Sequence, residues 1–211
     1  MRYRQLLHAF VCLLLSLSVV QTVVAEVAVK APNKHILTWQ AFVKNTLALH
    51  RKLISEVAVV KKTKLGGYEG LPNFYIEDSY YDAKTHRLIS QLQWEKANPK
   101  QLHTIEVYLY DDKGRVTRDF TAAYLPNYHK APTQTLISLH NYVGNLHAFR
   151  TFDASGYRID EGCRGTYQGQ DVEILLDEDE IADGSPVMQS AAYKACFEGV
   201  QLKAGKYLIP Q

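Results

Sequence analysis

The 211-residue chain has little cysteine, little methionine and almost no net charge. Its three cysteines form no C-x-x-C pair. That excludes zinc ribbons and fingers and the thioredoxin type of redox motif. Lys and Arg number 24 against 22 Asp and Glu, with no basic cluster, so there is no electrostatic case for nucleic acid. Neither G-x-S-x-G nor H-E-x-x-H occurs, which removes the nucleophile elbow and the zinc-protease helix. The glycines of LGGYEGLPN, from Leu65, lack the G-K-[ST] ending of a phosphate loop and read as a plain connector. After residue 25 no segment is long and apolar enough to cross a bilayer.

The one long apolar run is N-terminal. Arg2 and Arg4 precede LLHAFVCLLLSLSVVQTVVA, and Val23, Val24 and Ala25 place small residues at −3 and −1. This predicts a secretory signal peptide over 1–25, cleaved before Glu26. A retained membrane anchor is the competing reading, but His8, Ser16, Ser18, Gln21 and Thr22 interrupt the run. Residues 26–211 then form a single domain, exported to the periplasm or the extracellular space, with 22 charges of each sign. Cys163 and Cys196 remain after cleavage and predict one disulfide. It closes a loop of about 34 residues, worth roughly 3–4 kcal/mol.

Residues 36–62 read as one amphipathic helix, with Trp39, Phe42, Val43, Leu49, Leu53, Ile54, Val57 and Val60 on one stripe. Thr38 is the expected N-cap, Lys61 and Lys62 the last-turn cations, and Gly66–Gly67 the stop. From Phe74 the period changes to two. Alternation around Ile76, Leu92, Val107 and Phe120 predicts half-buried strands, and further strands follow at 134–143, 146–153, 157–164 and 171–176. Ser185 and Pro186 open a short helix running from Val187 to about Phe197, and residues 207–210 suit a last edge strand. The fold expected is α+β: a strongly twisted or half-barrel antiparallel meander of about seven to nine strands, packed on a long N-terminal helix, with a short C-terminal helix.

Aromatic-Asp-x-x-Gly occurs as YDDKG from Tyr110 and FDASG from Phe152, and loosely as YDAKTHR from Tyr81. Each lies between alternating runs. The Asp suits the first position of a type I turn, and the Gly supplies the left-handed residue that rejoins the strands. In the third copy Thr85 or His86 must take that position. The wording resembles the hairpins of YD-repeat (Rhs-like) proteins, but spacings of 29 and 42 residues are not those of a repeat array. A Ca²⁺ site there would have one or two carboxylates where six or more oxygens are wanted.

Three constellations bear on function. Gly144–Asn145 reads as a two-residue turn that sets Tyr142 opposite His147 and His140 opposite Phe149. Both histidines then share a face, about 7 Å apart or less at Cβ, with Asp153 on the same side. The acidic run Asp177–Glu180 fails the EF-hand pattern and reads as a solvated loop. Tyr75, Tyr81, Tyr108 and Tyr110 have the parity opposite to the apolar face of their strands and form a candidate contact surface. The function expected is non-enzymatic: an exported envelope protein that binds a protein partner or wall polymer through its sheet. The alternatives are a carrier of a hydrophobic small molecule between helix and sheet, and a hydrolase using His140 and His147. No cofactor and no metal are expected.

Overall fold

The computed structural model describes residues 33–211, so the expected signal peptide lies outside the described residues. Asn33 accepts a hydrogen bond from the His35 N–H at 3.1 Å and caps helix α1, Lys34–Glu56. Thr38, expected as the cap, instead donates back to the Lys34 carbonyl inside the first turn. α1 ends six residues earlier than the stripe predicts, and Val59–Tyr68 is strand β1. Val57 and Val60 continue the helical spacing, but with Val59 they make a β-branched run that favours extended backbone. Lys61, Lys62 and Lys64 therefore lie on an edge strand, where lysine deters further pairing. Gly66 and Gly67 do not stop a helix. They permit a close hairpin: a Cβ at Gly66 would meet the Tyr75 ring at 2.3 Å, and one at Gly67 the Leu71 carbonyl at 2.3 Å.

The remaining strands are β2 (Leu71–Asp82), β3 (Leu88–Glu95), β4 (Leu102–Tyr110), β5 (Val116–Ala123), β6 (Gln134–Val143), β7 (Leu146–Asp153), β8 (Arg158–Tyr167) and β9 (Gln170–Leu176). They form one open antiparallel sheet in strict chain order. The expected α+β meander is present, at nine strands. The aromatic-Asp turns behave as the sequence predicts. Asp111 accepts from the Arg115 N–H, Asp153 from Ser155 and Tyr157, and Asp82 from Lys84 and Thr85. The left-handed positions are Gly114, Gly156 and His86. Backbone donors, above all those of Thr85 and Arg115, hold the Asp82 and Asp111 carboxyls below the usual carboxylate range.

The C-terminal segment departs from its expected form. Asp177 and Glu180 form a capping box that starts α2, Glu178–Ala182, where a loop was expected. Pro186–Gln189 is a lone 3₁₀ turn. The helix proper, α3, runs Ala191–Phe197, because Ser190 takes the cap and accepts from the Tyr193 N–H at 3.1 Å. The expected edge strand at 207–210 is instead a 3₁₀ turn, Gly205–Leu208. The disulfide Cys163–Cys196 joins β8 to α3.

Two buried clusters share one face of the sheet. Phe42, Val43 and Leu49 of α1 pack on Ile105, Val107, Phe120, Ile137 and Phe152. Tyr193, Cys196 and Phe197 of α3 pack on Leu146, Ala148, Cys163 and Leu176. Leu146, Ala148, Arg150 and Phe152 alternate along β7, so both helices lie on the same side. Tyr207 and Leu208 join the first cluster, and Ile181 and Met188 the second. All described helical segments therefore cover one face. Between the clusters Arg150 and Glu161 form an ion pair with side chains 3% and 0% exposed.

Polar members of the α1 stripe are bonded as burial demands. Thr46 donates to the Phe42 carbonyl, and His50 Nδ1 lies 2.7 Å from Ser90 Oγ with its ring edge-on to Tyr80. Burial first, and Arg51 second, hold His50 below the ordinary imidazole value. The unfolded chain therefore takes this proton first as pH falls. The stability carried by the neutral ring is complete above about pH 6.5 and is lost as pH drops through that value towards the lower folded one. The thermal midpoint is expected to fall on acidification through this window, and His50→Gln to reduce the slope. An unchanged slope would remove His50 from the account.

Candidate functional site

The other face of the sheet carries the candidate site. Tyr108 pairs with Asp119, Asp119 with Ser138, Ser138 with Thr151 and Thr151 with Asp160. These five polar residues make one row across β4–β8. The next row brings His140 opposite Phe149, and the one after it Tyr142 opposite His147, as the turn at Gly144 predicts. Phe149 packs against Gly162, whose absent Cβ would meet that ring at 2.3 Å.

Asp119, His140 and His147 are joined in line. His140 Nε2–H donates to Asp119 Oδ1 at 2.9 Å. Its Nδ1 is thereby left as the acceptor in the neutral ring, and lies 3.0 Å from His147 Nε2. The ring centroids are 5.2 Å apart with planes 22° from parallel. The excess of the centroid separation over the nitrogen separation is taken up by the two centroid-to-nitrogen radii. The rings therefore meet edge to edge, in the geometry of an in-plane hydrogen bond rather than a stack. The true stack is beside it: His147 lies on Tyr142 at 4.5 Å and 4°, and Arg115 lies over the same tyrosine at 4.5 Å. Burial, then His140 and Arg164, hold His147 below its ordinary value.

Two further carboxyls flank the line. Glu106 accepts from the Tyr108 hydroxyl, and burial together with this bond drives the phenol far above its ordinary value. Asp160 has one carboxyl oxygen buried without a partner. Burial raises its carboxyl and Asp119 and Glu161 add to the rise, while a bond with Thr151 opposes it.

The four tyrosines singled out from the sequence do not converge. Tyr108 and Tyr110 are neighbours on β4, and Tyr110 donates to the Leu88 carbonyl at 2.7 Å. Tyr81 lies under Lys62, with the ammonium 4.8 Å from its ring. Tyr75 is farther along β2, in an aromatic group with Tyr68 and His103. Asp153 does not join the histidines; its carboxylate is held in its turn. Asp119 takes that place, and the sequence carries no local signal for it. Neither imidazole is hydrogen-bonded to a serine, threonine or cysteine among the described residues.

The fold and this face define an open α+β meander with helices on one side. No family model matches the chain, and no curated protein matches it. Two solved structures resemble it weakly. One is a DUF3836 family protein from Bacteroides vulgatus, 11% identical, covering 49% of this chain and 99% of that one at a TM-score of 0.29. The other is a DUF3836 family protein from Parabacteroides distasonis, 7% identical, covering 60% and 97%, at a TM-score of 0.22. At such scores neither likeness carries an argument about this chain.

Proposed function

We propose that this is a non-enzymatic exported protein that binds a protein partner or wall polymer through the uncovered face of its sheet. The observation that carries the reading is the one-sided placement of the helices: across nine strands, no described helix covers the opposite face. An open antiparallel sheet can leave one face to water, and such faces are ordinarily polar. This one also holds its side chains in fixed poses, through the Tyr108–Glu106 bond, the Asp119–His140–His147 line and the Arg115–Tyr142–His147 stack. Groups fixed before contact lose little entropy on binding. The Cys163–Cys196 disulfide supports an oxidising compartment. Among the described residues no helix is long and apolar enough to cross a membrane.

The carrier alternative finds the middle of the seam between α1 and the sheet filled, where Phe42, Ile105 and Phe120 are each 2% exposed or less, and is left with a cavity of about 280 Å³ at the end of α1, lined by Leu53, Val57, Ile89 and Leu109. The hydrolase alternative gains an oriented imidazole but, among the described residues, no bonded nucleophile.

The test is site-specific photocrosslinking in the producing cell. A photoreactive residue at Ser138, in the middle of the face, is expected to give discrete adducts or retention on wall material. The same residue at Lys52, on the exposed side of α1, is expected to give neither. Equal patterns from both positions would reject the face as the contact surface.

A further inference from the structure

A second surface lies on the helix side of the sheet, away from the proposed binding face. A groove of about 850 Å³ runs beside α3, and its lining includes Arg158 and Tyr167 at the two ends of β8. Met188, Ala191, Ala195, Phe197, Val200 and Leu202 give it an apolar wall, and Leu202 is 70% exposed. A side chain so apolar and so exposed, set beside a concave wall of its own kind, marks a ligand or partner surface.

One end of the groove carries surplus positive charge. The buried Glu161 is a single carboxylate shared by two guanidiniums, Arg150 at 2.9 Å and Arg158 at 2.8 Å. Arg150 is fully engaged: Nε and Nη2 go to Glu161, and Nη1 to the carbonyls of Val200 and Gln201. Arg158 reaches Glu161 through Nη1 alone, and its other nitrogens have no acceptor among the described residues. Lys194 also lines the groove, without an ion pair among the described residues, and Glu198 is the lining carboxylate. Three cations thus stand against two carboxylates. A guanidinium mostly withdrawn from water, as that of Arg158 is at 19% exposure, beside an apolar wall favours a ligand with an anionic head and an apolar body.

We propose that this groove binds a single-chain amphiphilic carboxylate of the fatty-acid type. Its carboxylate sits on the free guanidinium edge of Arg158, and its chain lies along the wall towards Tyr167. Ten residues of strand span about 30 Å, longer than an extended lauryl chain. The site is independent of the binding face, so its failure and the failure of that reading are separable: Ser138→Arg is expected to leave it unchanged.

The experiment is calorimetric titration of the purified protein, disulfide intact, with three probes. Laurate supplies head and chain, dodecyl maltoside the chain without the carboxylate, and acetate the carboxylate without the chain. Laurate is expected to bind at one site, about tenfold or more tighter than either control. Arg158→Gln is expected to weaken laurate about tenfold, and Leu202→Asp to weaken it similarly; the exposure of Leu202 keeps that variant folded. Equal binding of laurate and dodecyl maltoside would overturn the proposal, as would an unchanged affinity in Arg158→Gln or no binding below the aggregation limit of laurate. Saturable capture of a hydrophobic peptide with a free C-terminus, but not of laurate, would overturn it in favour of a chain terminus.

Discussion

Glu161→Ala is expected to destabilise the protein by about 3–5 kcal/mol, the usual cost of removing one partner of a buried ion pair. Glu161 is 0% exposed, and its two oxygens serve four donors: Arg150 Nε and Nη2, Arg158 Nη1 and the Tyr193 hydroxyl at 2.6 Å. Without it, Arg150 stays buried with its charge uncompensated. The loss is a large fraction of the roughly 5–15 kcal/mol that holds a domain together. Glu161→Gln keeps the volume and one acceptor oxygen and is expected to fall between. The double variant Arg150→Met/Glu161→Leu is expected to cost less than Glu161→Ala alone, since apolar groups of similar volume often replace a buried pair without loss. It still leaves the Val200 and Gln201 carbonyls without their donor. Urea unfolding at constant m-value reads all three. A loss below about 1 kcal/mol for Glu161→Ala would mean that water reaches Arg150 after the change.

Removal of the disulfide, by Cys163→Ala with Cys196→Ala, is expected to cost about 3–4 kcal/mol by the chain-entropy argument for a loop of this length. The separation is 33 residues, and both sulfurs sit in the second cluster, at 0% and 1% exposure. The loss should be local before it is global. The second cluster is small and α3 has only seven residues, so besides the bond the segment is held by that cluster, by the Tyr193 hydroxyl on Glu161 and by Arg150 on the Val200 and Gln201 carbonyls. The first cluster, with Phe42 against Phe120 at a ring separation of 6.3 Å, does not depend on the bond. Hydrogen exchange is expected to show amides of 191–200 losing protection in the variant while those of β4 and β5 keep theirs. Uniform loss across both clusters would show that the two halves of the face unfold as one unit.

Much of this architecture was legible because it is local. The β6–β7 register follows from one two-residue turn, so the positions of His140, Tyr142, His147 and Phe149 could be written down from spacing alone. Asp119 could not. It reaches His140 through the β5–β6 pairing, and a ten-residue connection between those strands hides the register. The end of α1 is hidden because Val57 and Val60 satisfy the helical period by coincidence, and period alone cannot separate a helix end from the start of a β-branched strand. Arg150 and Glu161 were invisible for another reason. A charged residue at core parity looks like a break in the alternation until its partner, on the next strand, is known.

The strict one-to-nine strand order also bears on how the molecule comes to exist. Every strand finds a partner in its immediate chain neighbour, so no strand waits for a distant one. Contacts this local close at little entropic cost and form quickly. As the chain is synthesised N-terminus first, α1 and the early hairpins can assemble hairpin by hairpin before the last strands are made. Cys163 then takes its place in β8 while Cys196, still on the tail, has yet to emerge. Oxidation is thus the closing step, a latch set on a finished sheet.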